Sequence, residues 1–520
     1  MPILMPIRFL VVALSALILA LPAGAAELSA EQQAAHVLNR LAFGPKPGDI
    51  ERVAQMGVKR YIDSQLDPQG IDYPPELAAR LLKLETPHRS AGAAMAEFVE
   101  MRREVKNDDE GAKQRRRALA AVAARETAEA RLLRAIDSPR QLEEVMVDFW
   151  YNHFNVFSGK GNDRALIASY ERDAIRPYVL GSFRAMLGAT AKHPAMLYYL
   201  DNVVSVAPGF GGPKQKKQRG LNENYARELM ELHTLGVDGG YTQNDVTELA
   251  RMLTGWTYDQ RALIATDQTF RFDPRRHDHG TKQWLGHTVT DQGQQEGEMA
   301  LDVLATHPAT AHHISYELAQ YFVQDQPPPA LVERMARTWM QSGGDIRAVL
   351  RTLFASDEFM APAALGAKFK TPYQFVVSAA RASAAPVSNI APLLGAMNQL
   401  GMPLYGCQTP DGYKNTQEAW LNPDALSRRI TFATALAAGR LPLAAPAMAP
   451  AMPAMAGEMA ANSVPAPAPR PAAPASPVDP RQLYATLGPA MSAHTLGLVA
   501  ASPEALRAAM LLGSPDFMQR

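Results

Sequence analysis

The chain has 520 residues, of which 47% are hydrophobic and 20% charged, and 52 basic side chains balance 52 acidic ones. These proportions are typical of a globular protein with a packed core, and the lack of a basic excess argues against a nucleic-acid partner. Cys407 is the sole cysteine of the sequence, which excludes an internal disulfide.

Residues 1–25 have the pattern of a secretory signal peptide. Arg8 precedes an apolar run at residues 9–21, and Ala23-Gly24-Ala25 supplies small residues at the cleavage position. The run is short for a membrane span, although an uncleaved anchor is the alternative. No later apolar run reaches the ~20 residues that a span needs. We therefore expect export to the periplasm or the extracellular space, with no membrane span in the mature chain.

Residues 29–440 are predicted to form an α-helical body, because apolar residues recur there at helical spacing. One helix begins after Ser138-Pro139 and ends in an aromatic run that contains Asn152 and His153. These two polar groups need partners if they are buried. They fit either a polar network beside the core or the wall of a pocket, where His153 would be a binding residue.

Polar side chains that could take part in binding or catalysis are most concentrated in a helix predicted over residues 222–233. Gly236 is expected to end this helix, since glycine adopts the left-handed conformation easily. Thr242 then caps a second helix, with Asp245 in the capping-box position. His233 falls on the apolar face of the first helix, where a hydrogen-bonded core histidine is expected. The two helices form a predicted αα-hairpin.

Asn224, Arg227, Glu228 and Glu231 share one stripe of the first helix at 100° per residue. One interpretation is a solvated face with an ion pair between Arg227 and Glu231. The other is a polar cluster that lines a pocket. In that case Glu228 or Glu231 would be the acid–base or ligand group. Arg227 would hold an anionic substrate group, and Asn222 and Asn224 would be further binding candidates.

Residues 269–290 alternate enough to form a short β-hairpin, with strands near 269–272 and 284–289, in an otherwise all-α protein. His277 and Asp278 lie in the turn region of this segment. They could be metal ligands or an orienting pair for acid–base catalysis. The alternative is a turn whose side chains satisfy the loop backbone.

His307 and His312 are further candidate metal ligands, because three histidines occur within seven residues here. However, the adjacent His312 and His313 point about 100° apart on a helix, so they cannot easily face one ion. The sequence also contains no H-E-x-x-H motif and no cysteine cluster. We assign no metal, and the sequence requires no cofactor.

The last part of the chain divides into two segments. Residues 441–480 are rich in Ala, Pro and Met and are predicted to form a disordered linker, because this composition cannot bury enough apolar surface to order itself. Residues 481–520 are predicted to form a helical segment that docks back on the body.

Several segments are long enough to identify a family. They are residues 36–44, Phe149-Trp150-Tyr151-Asn152-His153-Phe154, residues 222–236, 240–243, 253–256 and 277–286, and Pro410-Asp411-Gly412-Tyr413. Together they resemble the bacterial family called domain of unknown function 1800, and the resemblance covers nearly all of the mature chain. Cys407 departs from the family pattern, in which a Trp is expected before the Pro-Asp-Gly-Tyr turn. A second departure is the long Ala/Pro insert near the C-terminus.

The resemblance implies an uncharacterised exported bacterial protein, since the family carries no established activity. It also implies a paired partner, because members look like companions of another exported family, domain of unknown function 1501. Whether the chain is an enzyme stays open. One class is an enzyme whose pocket combines the 222–233 helix, the His153 segment and the turn of His277 and Asp278, and a metal-dependent hydrolase or oxidoreductase is one form of it. The other class is a non-catalytic binding or assembly partner in the cell envelope.

Overall fold

The computed structural model of the chain describes residues 28–104, 110–210, 220–444 and 476–520. The predicted signal peptide at 1–25, and all but the two ends of the predicted linker at 441–480, lie outside the described residues. The described part is mainly α-helical, as the sequence predicts, with two small two-stranded sheets.

The α-helices are numbered here in chain order. Those of the first half are α1 (Ala30–Leu41), α2 (Asp49–Met56), α3 (Val58–Leu66), α4 (Pro75–Leu82), α5 (Ala91–Glu104), α6 (Glu110–Asp137), α7 (Gln141–His153), α8 (Asp163–Ser169), α9 (Phe183–Lys192), α10 (Pro194–Tyr199), α11 (Asn224–Glu231) and α12 (Gln243–Met252). A π-helical segment, Tyr170–Ile175, follows α8 directly.

The remaining helices follow the same numbering. They are α13 (Gln260–Thr266), α14 (Gln294–Ala305), α15 (Pro308–Phe322), α16 (Pro329–Ser342), α17 (Ile346–Phe354), α18 (Asp357–Met360), α19 (Pro372–Ser383), α20 (Ala391–Gln399), α21 (Gln417–Trp420), α22 (Pro423–Ala437), α23 (Pro480–Leu487), α24 (Ala493–Ala501), α25 (Glu504–Leu512) and α26 (Pro515–Met518).

Side-chain caps fix where several helices begin. Ser29 and Gln32 form a capping box at α1, and Thr242 and Asp245 form the predicted one at α12. In each box the side chain of the cap residue and that of the third helical residue satisfy backbone N–H groups that have no partner within the helix.

Helix α11 is shorter than the sequence predicts, because it ends at Glu231 and not at His233. The amides of Leu232 and His233 both donate to the Glu228 carbonyl, at 2.9 and 3.0 Å, which widens the last turn. The Thr234 hydroxyl donates to the Leu229 carbonyl at 2.6 Å and replaces a backbone donor there. Gly236 has the expected positive φ, but it lies several residues beyond the helix.

The strands pair differently from the predicted hairpin. Strand β1 (Trp256–Thr257) pairs with β2 (Arg271–Phe272), and β3 (Lys282–Trp284) pairs with β4 (His287–Val289), both antiparallel. Leu285 and Gly286 join β3 to β4 and both have positive φ, which is the geometry of a tight type I′ turn. The short hairpin is therefore present, but it begins at Lys282, and the segment near residue 270 pairs with a strand before α13.

Most of the buried apolar residues form one cluster that runs from Ala34 to Met518. Helix α7 lies inside it, since all but two of its 13 residues are buried. The C-terminal segment joins the same core, because α25 packs against α22 and the side chain of Leu511 is fully buried. Within the described ranges, no helix is long and apolar enough to cross a membrane.

Candidate functional site

A cavity of about 270 Å³ opens where the last turn of α7 meets the end of α11, the middle of α15 and the loop at residues 411–415. We call it the acidic cavity. Its charged, histidine and amide lining residues are Asp148, Asn152, His153, Glu231, His313, Glu317, Gln320, Asp411, Lys414 and Asn415, and its aromatic ones are Phe149, Tyr321 and Tyr413.

His153 and Glu317 form an ion pair in the wall of this cavity. The Nδ1 atom of His153 lies 2.8 Å from Oε2 of Glu317, and its Nε2 lies 3.2 Å from the carbonyl oxygen of His233. Both partners are acceptors, so both ring nitrogens are engaged by the protein. Burial opposes ionisation of Glu317, but the charge and the hydrogen bond of His153 outweigh it and lower the pKa of that carboxyl. His153 has no free nitrogen with which to act as a base.

Asn152 holds the loop that closes the cavity. Its Nδ2 donates to the Tyr413 carbonyl at 2.8 Å, and its Oδ1 accepts from the Tyr413 amide at 2.8 Å. Gly412 passes so close that a Cβ there would overlap the Asn152 carbonyl oxygen, and its φ is +66°. Asn152, in the aromatic run of α7, therefore fixes the Asp411-Gly412-Tyr413 turn through hydrogen bonds between its side chain and the backbone of Tyr413.

Of the four carboxylates that line the cavity, three have a basic partner. Asp148 pairs with Arg131 at 2.8 Å, Asp411 pairs with Lys414 at 2.7 Å, and Glu317 pairs with His153.

Glu231 is the fourth carboxylate and is different. Its one hydrogen bond within the described part of the chain comes from the Tyr241 hydroxyl, at 3.5 Å. The neighbouring Glu228 lies three residues earlier on α11 and does not line the cavity. Burial, and then the charge of Glu231, raise the pKa of Glu228. The cavity thus has a surplus of negative charge at the end of α11.

The predicted binding residues on and beside α11 do not line the acidic cavity and contact other parts of the protein. Arg227 Nη2 donates to Glu223 Oε2 at 3.2 Å and to Gln243 Oε1 at 2.8 Å, and forms no pair with Glu231. Asn222 Oδ1 accepts from the Asn224 amide at 3.0 Å, and Asn224 Nδ2 donates to the Leu200 carbonyl at 3.3 Å. These contacts join α11 to its neighbours.

Two further histidines lie beside the acidic cavity. His233 is buried and its Nε2 has no hydrogen-bond partner in the described structure. Burial, and then the charge of His153, hold its pKa well below the usual range, so the ring is neutral. His313 lines the cavity with Nε2 3.7 Å from Oε1 of Glu317, and burial lowers its pKa.

A second polar cluster surrounds His277 and is separate from the acidic cavity. One ligand atom each from His277, Asp291 and Glu296 lie within 4.8 Å of one another, and we call these three residues the His277 cluster. Nδ1 of His277 lies 2.8 Å from the Thr254 carbonyl oxygen, and its Nε2 lies 3.0 Å from Glu296 Oε1. An Nδ1–H group bound to a carbonyl is common for a histidine that binds a metal through Nε2.

The same cluster already contains a cation. Lys282 is fully buried and its Nζ lies 2.7 Å from Glu296 Oε2. Burial opposes ionisation of Glu296, but the hydrogen bonds from His277 and Lys282 lower its pKa. A metal ion here would have to replace the contact between His277 and Glu296 and compete with the Lys282 ammonium group. The three ligands of the His277 cluster therefore favour a divalent ion, whereas the charge of Lys282 disfavours it.

The other predicted metal ligands do not converge on this cluster. Asp278 is held by Arg251, with Nε–Oδ2 and Nη2–Oδ1 distances of 2.8 and 3.1 Å. His307 accepts from the Ala309 amide at 3.1 Å and so caps α15. His312 is exposed, 3.5 Å from Glu333. Of the residues proposed from sequence, His153 and Glu231 line the acidic cavity, and His277 belongs to the His277 cluster.

A family model described as "Protein of unknown function (DUF1800)" matches residues 36–519 of the chain. The chain belongs to this family. A search of the curated proteins and a search of the solved structures found no match. Segments that carry the DUF1800 resemblance meet at the acidic cavity: the aromatic run supplies Asn152 and His153, residues 222–236 supply Glu231, and the Pro-Asp-Gly-Tyr turn supplies Asp411 and Tyr413.

Sequence reasoning missed several residues of the two sites in this DUF1800 protein. Glu317 lies four residues after His313 on α15, so helical spacing could have placed both on one face. Asp411 lies in the Pro-Asp-Gly-Tyr segment, which marks the family but gives no role to this carboxylate. Asp291 and Glu296 carry no signal in the sequence, because the fold alone brings them to His277.

Proposed function

We propose that the acidic cavity binds a small cationic ligand, and that Glu231 is the residue that recognises its charge. The observation that carries this proposal is the electrostatic state of the four lining carboxylates. Three are paired within the protein, whereas Glu231 has a single long hydrogen bond from Tyr241. Because unpaired carboxylates in a cleft attract cations, the surplus charge selects a positively charged guest.

The cavity's shape and aromatic lining support the same ligand class. A volume of about 270 Å³ is close to the lower end of the range for small-molecule pockets. Phe149, Tyr321 and Tyr413 line it, and aromatic faces attract ammonium and guanidinium groups. An organic amine fits these features better than an anion does.

Binding is a better description than acid–base catalysis. Both nitrogens of His153 are engaged by acceptors of the protein, so the ring is held in place and turned away from a ligand. The hydroxyl of Thr371, which also lines the cavity, accepts from the Gln374 amide at the start of α19. The residues that line the acidic cavity therefore present charge and shape but no activated nucleophile.

The test compares putrescine, a dication, with 1,4-butanediol, a neutral molecule of the same length. We expect putrescine to raise the thermal midpoint of the protein and the diol to leave it unchanged. The effect should weaken as NaCl rises, because salt screens exposed charge. Glu231→Gln should abolish the putrescine shift without altering the midpoint of the free protein. Equal shifts with the two probes, or a shift that persists in Glu231→Gln, would refute the proposal.

We further propose that the protein acts outside the cytoplasm, on the strength of the charged, apolar and small-residue regions of residues 1–25. The expected mature N-terminus is Ala26 or Glu27. N-terminal sequencing of the periplasmic or secreted form measures it, and Met1 retained in a membrane fraction would contradict it.

A second candidate is a non-catalytic partner of an exported protein of the domain of unknown function 1501 type. Exposed apolar side chains on the C-terminal helices favour it, namely Ile430, Leu498 and Leu506, which are 50%, 51% and 52% exposed. Such side chains mark protein contact surfaces when they are grouped. Co-elution of the two purified proteins, lost in Leu498→Glu, would support this role, and separate elution would oppose it.

A metal-dependent hydrolase or oxidoreductase is the third candidate, favoured by the three convergent ligands of the His277 cluster. Elemental analysis of the purified protein tests it, together with thermal stability in chelator. We expect bound metal to be lost in Asp291→Asn if this candidate is correct. A metal-free protein that is indifferent to chelator and to added Zn²⁺ or Mn²⁺ would exclude it.

A further inference from the structure

Five basic side chains lie close together in the protein interior, although Arg and Lys side chains are usually exposed at the surface. Arg40 on α1, Lys368 and Lys370 before α19, Arg429 on α22 and Arg520 are each no more than 4% exposed. We call these five residues the buried cationic cluster. Backbone contacts tie them together: the Arg520 amide donates to the Lys368 carbonyl at 2.7 Å, and Arg429 Nη2 donates to the Lys370 carbonyl at 2.7 Å.

The cluster has too few negative charges within the described chain. Asp325 pairs with Lys368, and the other four cations form no ion pair with a described carboxylate. Five basic groups therefore share one acidic partner within the described chain. Buried Arg and Lys side chains are rare unless they are paired, because desolvation strongly disfavours an isolated charge.

Several donors of the cluster also have no acceptor among the described residues. Nε and Nη1 of Arg40, the same two atoms of Arg429, and Nε of Arg520 are buried without a hydrogen bond. Aromatic rings offset part of this for Arg429, which lies 4.5 Å from the centroid of Phe369. Lys370 lies 3.9 Å from the centroid of Phe517 and donates to Ser378 Oγ at 2.9 Å. Arg40 has one hydrogen bond, to the Ala364 carbonyl at 2.5 Å.

A cavity of about 320 Å³ opens onto two members of the cluster, Lys370 and Arg520. We call it the cationic cavity. Its other polar lining residues are Gln32, His36, Asn39, Ser492, Asp516 and Gln519. Asp516 is the carboxylate of this lining, and it accepts from the amide and the hydroxyl of Ser492, both at 2.7 Å. Burial, and then the charge of Arg40, lower the pKa of His36 to about 3, so that ring is neutral.

We propose that the cationic cavity binds an oxyanion, a phosphate, sulfate or carboxylate group of a small molecule, through Lys370 and Arg520. The excess of buried basic groups supplies the charge, and Lys370 and Arg520 are the two members of the cluster that line the cavity. Arginine guanidinium groups match the oxygens of such anions in geometry. Burial, and then the charges of Arg520 and Arg429, hold the pKa of Lys370 well below its usual range, and a bound anion would reverse that effect.

The test measures phosphate binding to the full chain by calorimetry, and thermal midpoints in phosphate, sulfate and acetate against NaCl at equal ionic strength. Phosphate and sulfate stabilise folded proteins generally through exclusion from their surface, so we expect a site-specific effect to appear as a larger rise in the midpoint of the wild type than in that of the cavity variant Lys370→Met. Lys370→Met keeps the length of the side chain and removes a buried charge, so it should fold and bind phosphate at least ten-fold more weakly. Lys59→Met is the matched control, because the Lys59 side chain is 91% exposed and makes one surface pair.

The outcomes separate this site from the acidic cavity. Glu231→Gln should leave phosphate binding unchanged, whatever it does to putrescine binding. If Lys370→Met does not fold, Arg520→Gln replaces it in the same measurement. Midpoints that follow ionic strength alone, or phosphate binding retained in the cavity variant, would overturn the proposal, and an equal loss in Lys59→Met would reduce it to a non-specific charge effect.

Discussion

Helix α11 carries two adjacent residues whose replacement should have opposite effects, Glu228 and Leu229. Leu229 is fully buried in the main core, where α11 packs against α12. Glu228 lies partly buried with no side-chain hydrogen bond in the described structure, and burial, then the charge of Glu231, raise its pKa. Burial of the apolar side of the helix stabilises the folded state, whereas the partial burial of Glu228 beside the like charge of Glu231 destabilises it.

The magnitudes follow from these two environments. Leu229→Ala removes buried apolar atoms and leaves a cavity, so the free energy of unfolding should fall by about 3 kcal/mol, within a range of about 2–5 kcal/mol. Glu228→Gln keeps the shape and removes one of two neighbouring negative charges. Its effect should stay within about 0.5 kcal/mol of zero or be stabilising, as for surface changes that break no specific contact.

Urea unfolding followed by circular dichroism measures both variants at pH 7. A change in midpoint with an unchanged slope reports stability and not a change in compactness. A loss of more than about 1.5 kcal/mol in Glu228→Gln would refute the reasoning, since a loss of that size requires an ion pair or hydrogen bond that the structure does not contain. A small loss in Leu229→Ala would show that α11 does not rely on the core.

Four other predictions test the site and the fold. The pKa of Glu317 is lowered in the folded state. Its contribution to stability should therefore be full above the unfolded pKa of ~4.3 and disappear as the pH falls through the folded pKa. The free energies of unfolding of wild type and Glu317→Gln should converge in acid, and a difference that persists there would contradict this. Asp163 is buried without a partner for either oxygen and burial raises its pKa to about 9. It therefore destabilises the fold as the pH rises from ~4 to that value, and Asp163→Asn should raise the free energy of unfolding at pH 7 by at least about 1 kcal/mol; a loss of stability would oppose this. Gly412→Ala should displace the Asp411 turn from Asn152 and weaken putrescine binding, whereas Gly395→Ala, where a Cβ meets nothing, is the control. The composition of residues 441–480 predicts that limited proteolysis cuts there first, and early cuts within α11 or α12 would contradict that division of the chain.

The fold class and the caps could be predicted because they depend on local sequence. Helical spacing indicates the helical body, and the capping box of Thr242 and Asp245 is confirmed. The end of α11 could not be predicted from spacing, since the Thr234 hydroxyl competes for a helical carbonyl before Gly236 is reached. Likewise, alternation shows that a strand can form near residue 270 but not that its partner is Trp256.

The candidate site was predictable in its parts but not in its assembly. His153 and Glu231 are prominent in the sequence, yet nothing local shows that Glu317 engages the ring of His153 from 164 residues away. The same limit applies to Arg227. Helical spacing predicts Glu231 as its partner, whereas in the structure its partners are Glu223 and Gln243. Long-range partners decide the charge state of a site, and a single sequence does not contain them.

Helix α7 explains why the acidic cavity lies where it does. The helix is buried on nearly all sides, yet it carries Glu144, Asp148 and His153 at spacings of four and five residues. Each has a charged partner on another element: Arg176 at 2.7 Å, Arg131 at 2.8 Å and Glu317 at 2.8 Å.

Buried ion pairs of this kind add little net stability compared with apolar residues of equal volume. Their presence on a helix that is buried on nearly all sides therefore argues for a role other than stability. The row of pairs leads from the interior to the cavity, where Asp148 and His153 form part of the lining. It fixes the direction of the last turn of α7, and with it Asn152 and the Asp411 turn. On this argument the polar residues of α7 position the walls of the cavity, and the proposed ligand would meet Glu231, the lining carboxylate with no basic partner in the described chain.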